Sequence, residues 1–332
     1  MMLYVYISHY YIWIYSIIKH LSISILKYYK PNHTLTFTHN FPSKFLKCDH
    51  MSYQIVEKKE IAPSVHMMKI KAPDVARAAK AGQFIILRID ETSERVPLTI
   101  ADFDANEGTV TIIFQEMGKT TKQLANMSAS DELQDFVGPL GTPADVRELG
   151  TVILVGGGVG IAPVYPQVKA YREAGNKVIS VIGARNESLL ILEDEMREAS
   201  DELHVATDDG SKGHHGFVTD VVKNILDSGE EVARIVVIGP PILMKVAAGM
   251  TEPYGVETIV SLNPIMIDGT GMCGGCRVSV GGETKFACVD GPEFDAHKVD
   301  FNLLMSRLAL YRSEESKCQE NYDHKCTCRG EN

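Results

Sequence analysis

Asp268, Cys273, Cys276 and Cys288 stand in the run D-G-T-G-M-C-G-G-C and, after eleven more residues, a last C. Thiolates at such short intervals are a metal-cage pattern. A [2Fe–2S] cluster takes four protein ligands, and the spacing C-x4-C-x2-C…C is one of its signatures. That spacing is reproduced here with Asp268 at the first cysteine position. Glycines at 269, 271, 274 and 275 free the backbone to curl around an inorganic core. Two other readings compete: a zinc site with its fourth ligand elsewhere, and plain buried thiols, for which C-G-G-C is a poor core sequence. The residues favour an iron–sulfur cluster with one oxygen ligand.

A second chemistry-bearing run is Gly156-Gly157-Gly158-Val159-Gly160-Ile161-Ala162-Pro163, directly after the apolar stretch Thr151–Val155. Glycines between a strand and a helix let the backbone approach a pyrophosphate, which the helix N-terminus attracts. Pro163 suits a first helical turn. The G-x-G-x-x-G fingerprint is not met, and Arg185 lies near the point where an acidic ribose ligand is usual. A dinucleotide bound by a variant loop is expected, with a structural glycine turn as the alternative. Arg95-Val96-Pro97-Leu98-Thr99 offers an arginine able to clamp a phosphate. Gly118-Lys119-Thr120-Thr121 reads as a turn opening a helix, and Gly138-Pro139-Leu140-Gly141 as a turn. Each is weak alone.

The elements that must position these runs change character along the chain. Residues 51–148 read as short β-branched strands, such as Gln83–Ile89 and Thr109–Phe114, which suggest an antiparallel barrel. From 149 to 262 strands alternate with helices, the pattern of a parallel sheet covered on both faces. Expected there are strands at Lys177–Gly183, Leu203–Thr207 and Arg234–Gly239, and helices up to Ala174, at Leu190–Ser200 and near Val218–Asp227. A small cluster subdomain, 263–312, follows, and then a polar tail, 313–332, expected to be disordered. Cys318, Cys326 and Cys328 in that tail lie outside the four-ligand spacing and are expected not to ligate the cluster.

Composition narrows the function. The chain has 332 residues, 45% hydrophobic and 23% charged, with net charge -10. That length suggests two or three domains, and the acidic balance excludes a nucleic-acid footprint. Seven cysteines gathered toward the end do not form a disulfide framework, so a reducing, cytoplasmic setting is expected. Residues 1–50 contain no Gly, Ala, Glu or Arg. Their apolar run Tyr10–Ile18 is too short for a membrane span. The segment is expected to be upstream DNA translated in frame, with Met51 the true start, against the alternative of an anchor or signal.

Taken in order, R-x-P-L-T, G-x-x-T, G-P-L-G, G-G-G-x-G-x-x-P, I-G-P (238–240) and the cluster loop resemble the ferredoxin-reductase superfamily. More narrowly they resemble the electron-transfer subunits of dihydroorotate dehydrogenase and of sulfide dehydrogenase, the latter also described as the small subunit of NADH-dependent ferredoxin:NADP oxidoreductase. The resemblance covers Met51 to about Arg312. Asp268, T-D-D-G-S (207–211) and S-L-N-P-I-M-I-D-G-T-G-M-C-G-G-C (261–276) are similar to the second group. The resemblance implies that Arg95 and Thr121, with Gly118 and Thr120 in the phosphate turn, hold the FAD pyrophosphate. Pro97, Leu98 and Thr99 would line the flavin edge. Gly156, Gly157, Gly158, Gly160 and Pro163 would bind the NAD(P)H pyrophosphate. Gly183, Arg185, Asp208 and Asp209 would surround its adenosine end, and Gly239 and Pro240 its nicotinamide. The superfamily often has Gly where Thr120 stands. NADH is favoured over NADPH despite Arg185. No general-base constellation is needed, and His214-His215 is expected to face solvent.

The implied activity is an electron relay from NAD(P)H through FAD and a [2Fe–2S] cluster to a larger flavin and iron–sulfur subunit, with ferredoxin reached through that partner. The alternatives are the electron-transfer subunit of dihydroorotate dehydrogenase and, from another class, a zinc-stabilised nucleotide-binding regulator. No membrane association is expected.

Overall fold

The computed structural model describes residues 52–329, with side chains to Tyr322; the expectations for residues 1–50 lie outside the described residues. The first half is the expected antiparallel barrel. Its strands are β1 (Tyr53–Ala62), β2 (Val65–Lys71), β3 (Phe84–Arg88), β4 (Val96–Asp104), β5 (Thr109–Gln115), β6 (Glu132–Leu133) and β7 (Asp135–Leu140). Short helices α1 (Pro73–Ala78) and α2 (Lys119–Ala125) interrupt them. The sheet order is β6-β1-β2-β5-β4-β3-β7. Its end strands β6 and β7 are separated in sequence by Gln134 alone, so the sheet curls until it is nearly closed. Alternate residues point inward, and Ile55, Met68, Ile70, Leu87, Ile112, Phe114 and Phe136 fill the interior.

The G-P-L-G run is not the turn expected from its composition. Gly138, Pro139 and Leu140 continue β7, with Leu140 opposite Phe84 and a register irregularity between Phe84 and Ile86. An end strand tolerates a proline because one side of its ladder is unused. A Cβ on Gly138 would stand 2.6 Å from Ile85 Cγ2, so the glycine serves close packing there.

The second half is a seven-stranded sheet, β11-β10-β9-β8-β12-β13-β16. In chain order its elements are β8 (Thr151–Gly157), α3 (Ile161–Glu173), β9 (Lys177–Ala184), α4 (Glu193–Ala199), β10 (Glu202–Thr207), β11 (His214–His215), α5 (Val218–Asp227), β12 (Val232–Ile238), α6 (Pro241–Thr251) and β13 (Glu257–Ser261). Strands β8 to β13 run parallel, and Val152–Val155 and Ile235–Val237 are fully buried, as helices on both faces require. The order reverses at β8, with β9 and β10 on one side and β12 and β13 on the other.

The cluster segment leaves β13, runs irregularly to a hairpin of β14 (Arg277–Val280) and β15 (Glu283–Phe286), and returns as β16 (Glu293–Asp295). β16 pairs antiparallel with β13, so this segment is joined to the nucleotide sheet rather than free-standing. Cys276, Val278, Ala287, Cys288, Phe301 and Leu304 share one apolar core with Val260 of that sheet and Leu262 just beyond it. Helix α7 (Phe301–Leu308) follows, then α8 (Arg312–Arg329) where disorder was expected. Nothing from 312 to 329 is Gly or Pro, and Glu314 and Glu315 in the first turn suit the helix dipole. The tail helix is polar, and Asn126 at the end of α2 donates to Tyr322 Oη at 3.3 Å.

A buried polar joint fixes the halves. Arg234 of β12, 2% exposed, donates to Glu257 Oε2 (2.8 Å) and Oε1 (3.1 Å), the Asp145 carbonyl (2.6 Å) and carboxylate (3.2 Å), and Tyr171 Oη (3.0 Å). The segment joining barrel to sheet is thereby tied to two strands and α3. Beside it, Gln167 Nε2 donates to Glu293 Oε1 at 2.5 Å. Burial pushes the Glu293 carboxyl up to about 7; Asp145 adds to the rise, while Gln167 and Arg234 oppose it.

Arg234→Ala strips the joint of its cation and is expected to lower unfolding free energy in urea by about 3 kcal/mol. A loss below about 1 kcal/mol would mean the joint is not structural. For Glu293 the folded value lies above the ordinary one, so its stabilisation is complete below about pH 4 and is lost as pH rises through about 7. Glu293→Gln, neutral throughout, is therefore expected to melt above the wild type at pH 8, with the gap shrinking toward pH 4. Equal melting at pH 8 would contradict the assignment.

Candidate functional site

The expected nucleotide residues gather at the carboxyl ends of the parallel strands. β8 ends in Gly157, which pairs with Gly183, which pairs with Ala206. Gly158 adopts φ +58°, and α3 begins at Ile161 without any side-chain cap. The first N–H groups of this helix are thus unclaimed by side chains at the sheet's switch point, where ligands of such sheets bind. A Cβ on Gly160 would stand 2.4 Å from the Ile238 carbonyl oxygen and 2.8 Å from Gly239 Cα. Gly160 therefore lets the glycine loop lie against Gly239-Pro240. On the other flank the Asp208 N–H donates to the Ala184 carbonyl (3.1 Å) and the Asp209 N–H to that of Arg185 (3.2 Å). Arg185, Asp208 and Asp209 are exposed there, and hydrogen bonds from Ser211 hold the Asp209 carboxyl below its usual value.

In the barrel, Arg95 is exposed immediately before β4 and makes no ion pair among the described residues. Thr120 Oγ1 donates to Glu94 Oε2 at 3.3 Å, which sets the start of α2 beside the Arg95 turn. The Thr121 hydroxyl serves the turn itself: it accepts from the N–H groups of Met117 (2.9 Å) and Gly118 (3.1 Å) and donates to the Gly118 carbonyl. Pro97, Leu98 and Thr99 pair with Ile86, Ile85 and Phe84 of β3. A Cβ on Gly269 would lie 2.8 Å from Ile86 Cδ1 and 2.7 Å from Leu140 Cδ1. One strand therefore separates the Pro97–Thr99 run from the loop that carries the cysteines. No local sequence signal marks this adjacency, because it is made by β3 and β7 packing beneath residue 269.

The four candidate ligands come as two pairs. Cys276 and Cys288, 1% and 2% exposed, have sulfurs 3.1 Å apart. Burial, with the Cys276 sulfur, pushes the Cys288 thiol up to about 12. Cys273 is exposed, and its N–H donates to Asp268 Oδ2 at 2.8 Å, while Thr270 N–H donates to Oδ1 at 3.0 Å. Partial burial raises the Asp268 carboxyl, but these backbone donors outweigh it and hold it below its usual value. Among the described residues no three His, Cys, Asp or Glu side chains surround a single point closely enough to hold one metal ion. His214 is half-buried and His215 exposed, extending the sheet beside β10.

Residues 263–300 match the iron–sulfur cluster binding domain of dihydroorotate dehydrogenase B, and residues 154–249 the oxidoreductase NAD-binding domain. The dihydroorotate dehydrogenase B electron transfer subunit homolog of Thermotoga maritima is 46% identical over 269 residues, 81% of this chain and 95% of the relative. The chain belongs to the family of dihydroorotate dehydrogenase B electron-transfer subunits. An uncharacterized protein from the adh 3′ region of Clostridium beijerinckii is 51% identical over 294 residues, 84% of this chain and 99% of that protein. Among solved structures, a chain of the NADH-dependent reduced ferredoxin-NADP oxidoreductase superposes with TM-score 0.77 at 46% identity, covering 81% of this chain and 97% of that one. As a family member the protein is an oxidoreductase electron-transfer subunit with a ferredoxin-reductase-like barrel, an NAD-binding sheet and an iron–sulfur domain. No described helix is long and apolar enough to cross a membrane.

Gly160→Ala would force a methyl group into the Ile238 carbonyl. NADH affinity, followed by titration calorimetry, is expected to fall at least tenfold, about 1.4 kcal/mol; unchanged affinity would remove the glycine loop from the binding site.

Proposed function

We propose that the chain carries electrons from NADH, bound at the carboxyl edge of the parallel sheet, through an FAD in the barrel to a [2Fe–2S] cluster held by Asp268, Cys273, Cys276 and Cys288. The observation that carries this reading is the single strand, β3, between the Pro97–Thr99 run and Gly269 of the cluster loop. Flavin and cluster supply the hydride-to-single-electron chemistry; the protein supplies binding, distance and tuning.

The donor set fits a two-iron group. In a [2Fe–2S] rhomb each iron takes two protein ligands. The Cys276 and Cys288 sulfurs lie together, while the Asp268 carboxylate sits at the Cys273 backbone N–H, which supports two two-ligand positions better than one tetrahedral zinc, which needs four donors about one point. A cation replacing the thiol protons also relieves the burial that keeps Cys288 neutral.

Each remaining residue has a physical task. Arg95, exposed and without an ion pair among the described residues, is available to clamp the FAD pyrophosphate, with the Gly118–Thr120 turn beside it. Thr121 acts through the shape of that turn, since its hydroxyl is engaged there. Pro97, Leu98 and Thr99 present the flavin edge. Gly156, Gly157, Gly158, Gly160 and Pro163 form the NADH pyrophosphate seat, with Gly183, packed close against Val218, on its adenosine side and Gly239 and Pro240 on its nicotinamide side. The carboxylates of Asp208 and Asp209 disfavour a 2′-phosphate and outweigh the exposed Arg185, which supports NADH over NADPH.

Around the cluster loop Ile267, Met272 and Val289 are 54%, 73% and 47% exposed. Apolar side chains grouped on a surface mark an interaction site. This rim supports docking of a larger flavin and iron–sulfur subunit where electrons leave, with ferredoxin reached through it. Cys273, Cys276, Cys288 and Cys318 are unpaired thiols, which suits a reducing cytoplasm. The alternative partner is a dihydroorotate dehydrogenase, after which the Thermotoga maritima homolog is named at the same 46% identity as the ferredoxin-NADP oxidoreductase chain; Asp268 at the first cluster position, where the dihydroorotate dehydrogenase group keeps a cysteine, favours the latter.

Arg95→Ala is expected to weaken FAD retention by about 1.5–3 kcal/mol, the contribution of a charge-assisted hydrogen bond; unchanged flavin content would count against the clamp. Asp268→Cys is expected to keep two irons while shifting the reduction potential and the paramagnetic-resonance signal, and Asp268→Ala to make the cluster labile. Wild-type spectra, potential and iron content in both variants would leave Asp268 as a loop cap. Protein colourless after anaerobic purification, with zinc bound, would favour the regulator reading instead.

A further inference from the structure

Helix α7 braces the cluster loop through a residue that the relay has not used. Its N-terminus is pinned beside β14, the strand that begins immediately after Cys276. The Asp300 N–H donates to the Ser279 carbonyl at 2.9 Å, the Asp300 carboxylate caps Leu303 N–H at 2.9 Å, and Val299 bridges Val280. Phe301 and Leu304 anchor the helix in the core that also contains Cys276 and Cys288. In its last turn the half-buried Arg307 reaches back, and its Nη2 donates to the Gly275 carbonyl at 3.2 Å. Gly275 lies between Cys273 and Cys276, and its own N–H faces Cys273 Sγ at 3.4 Å. At the preceding residue of the same turn, Arg277 Nη1 lies 3.1 Å from the position a Cβ on Gly274 would take. Two guanidinium groups therefore lie close to the Cys273–Cys276 turn. The acidic groups near it are Asp268, within the loop, and Asp290, whose carboxylate is occupied by the Phe286 N–H at 2.7 Å.

We propose that Arg307 is a positioning residue for the cluster, with a second, electrostatic effect on its potential. By holding the Gly275 carbonyl it fixes the turn that spaces Cys273 from Cys276, and its fixed positive charge favours the reduced cluster, which carries one more electron. The proposal rests on the cluster assignment above.

The test uses the full chain with its cofactors, and reads the cluster midpoint potential by redox titration and the rate of iron release to a ferrous chelator. Arg307→Gln removes the charge but keeps an amide donor. Its midpoint is expected to fall by up to a tenfold change in the reduction equilibrium, about 59 mV for one electron, with iron released several-fold faster. Arg307→Lys keeps the charge but not the fork, so its midpoint is expected to stay at the wild-type value while iron release is intermediate. It also preserves the test should Arg307→Gln assemble no cluster. A wild-type midpoint in Arg307→Gln overturns the proposal. So does a fall in Arg307→Lys, which would trace the effect to a disturbed loop. Wild-type protein without a reducible iron signal would instead overturn the cluster assignment itself.

Discussion

Two sulfur atoms 3.1 Å apart in an apolar core impose a constraint on everything around Cys276 and Cys288. As thiolates they would repel at short range with little solvent to screen them, and burial accordingly drives Cys288 far toward its neutral form. A bound cation resolves the conflict by replacing both protons at once, which couples metal binding to the integrity of this core. The rest of the cluster segment answers the same demand. β16 is stitched to the nucleotide sheet, α7 anchors Phe301 and Leu304 beneath the cysteines, and Gly291 accepts from Thr142 N–H at 2.7 Å, tying the return from Cys288 to the barrel exit.

That anchoring also sets distances. The glycine-loop crevice, the Pro97–Thr99 strand and the cysteine loop belong to different segments, yet β3 lies between the last two, and Arg234 locks the connecting chain against β13 and α3. Electron transfer needs its stations close and their spacing constant. A buried guanidinium with all its donors in use gives constancy at the cost of desolvation, a trade more often made for geometry than for stability. Lys169 Nζ adds a second tie, from α3 to Asp102 of β4 at 2.5 Å.

Much of this was legible in the sequence, and the reasons are local. The strand at Thr151–Val155 is a continuous apolar run entering a glycine loop, a pattern that fixes strand, turn and helix together. The x4–x2–x11 spacing identified the metal segment because ligand geometry constrains sequence directly. What escaped depended on contacts distant in the chain. G-P-L-G reads as a turn, but pairing with β3 extends it into β7. α6 and β13 carry weak local signals: Pro240-Pro241 at the start of α6 resembles a breaker, and β13 is five residues long. β16 has three residues and exists through its pairing with β13. The tail was read as disordered from polarity, whereas an absence of Gly and Pro permits a polar helix.

The central claim is that two irons are held by unlike pairs of ligands, Cys276 with Cys288 and Asp268 with Cys273. Mössbauer spectroscopy of the oxidised protein loaded with iron-57 tests it most directly. The expected spectrum contains two quadrupole doublets of equal area with different parameters, one for iron bound by two protein thiolates and one for iron bound by a thiolate and a carboxylate. A single doublet, or protein that takes up zinc in place of iron, would contradict it.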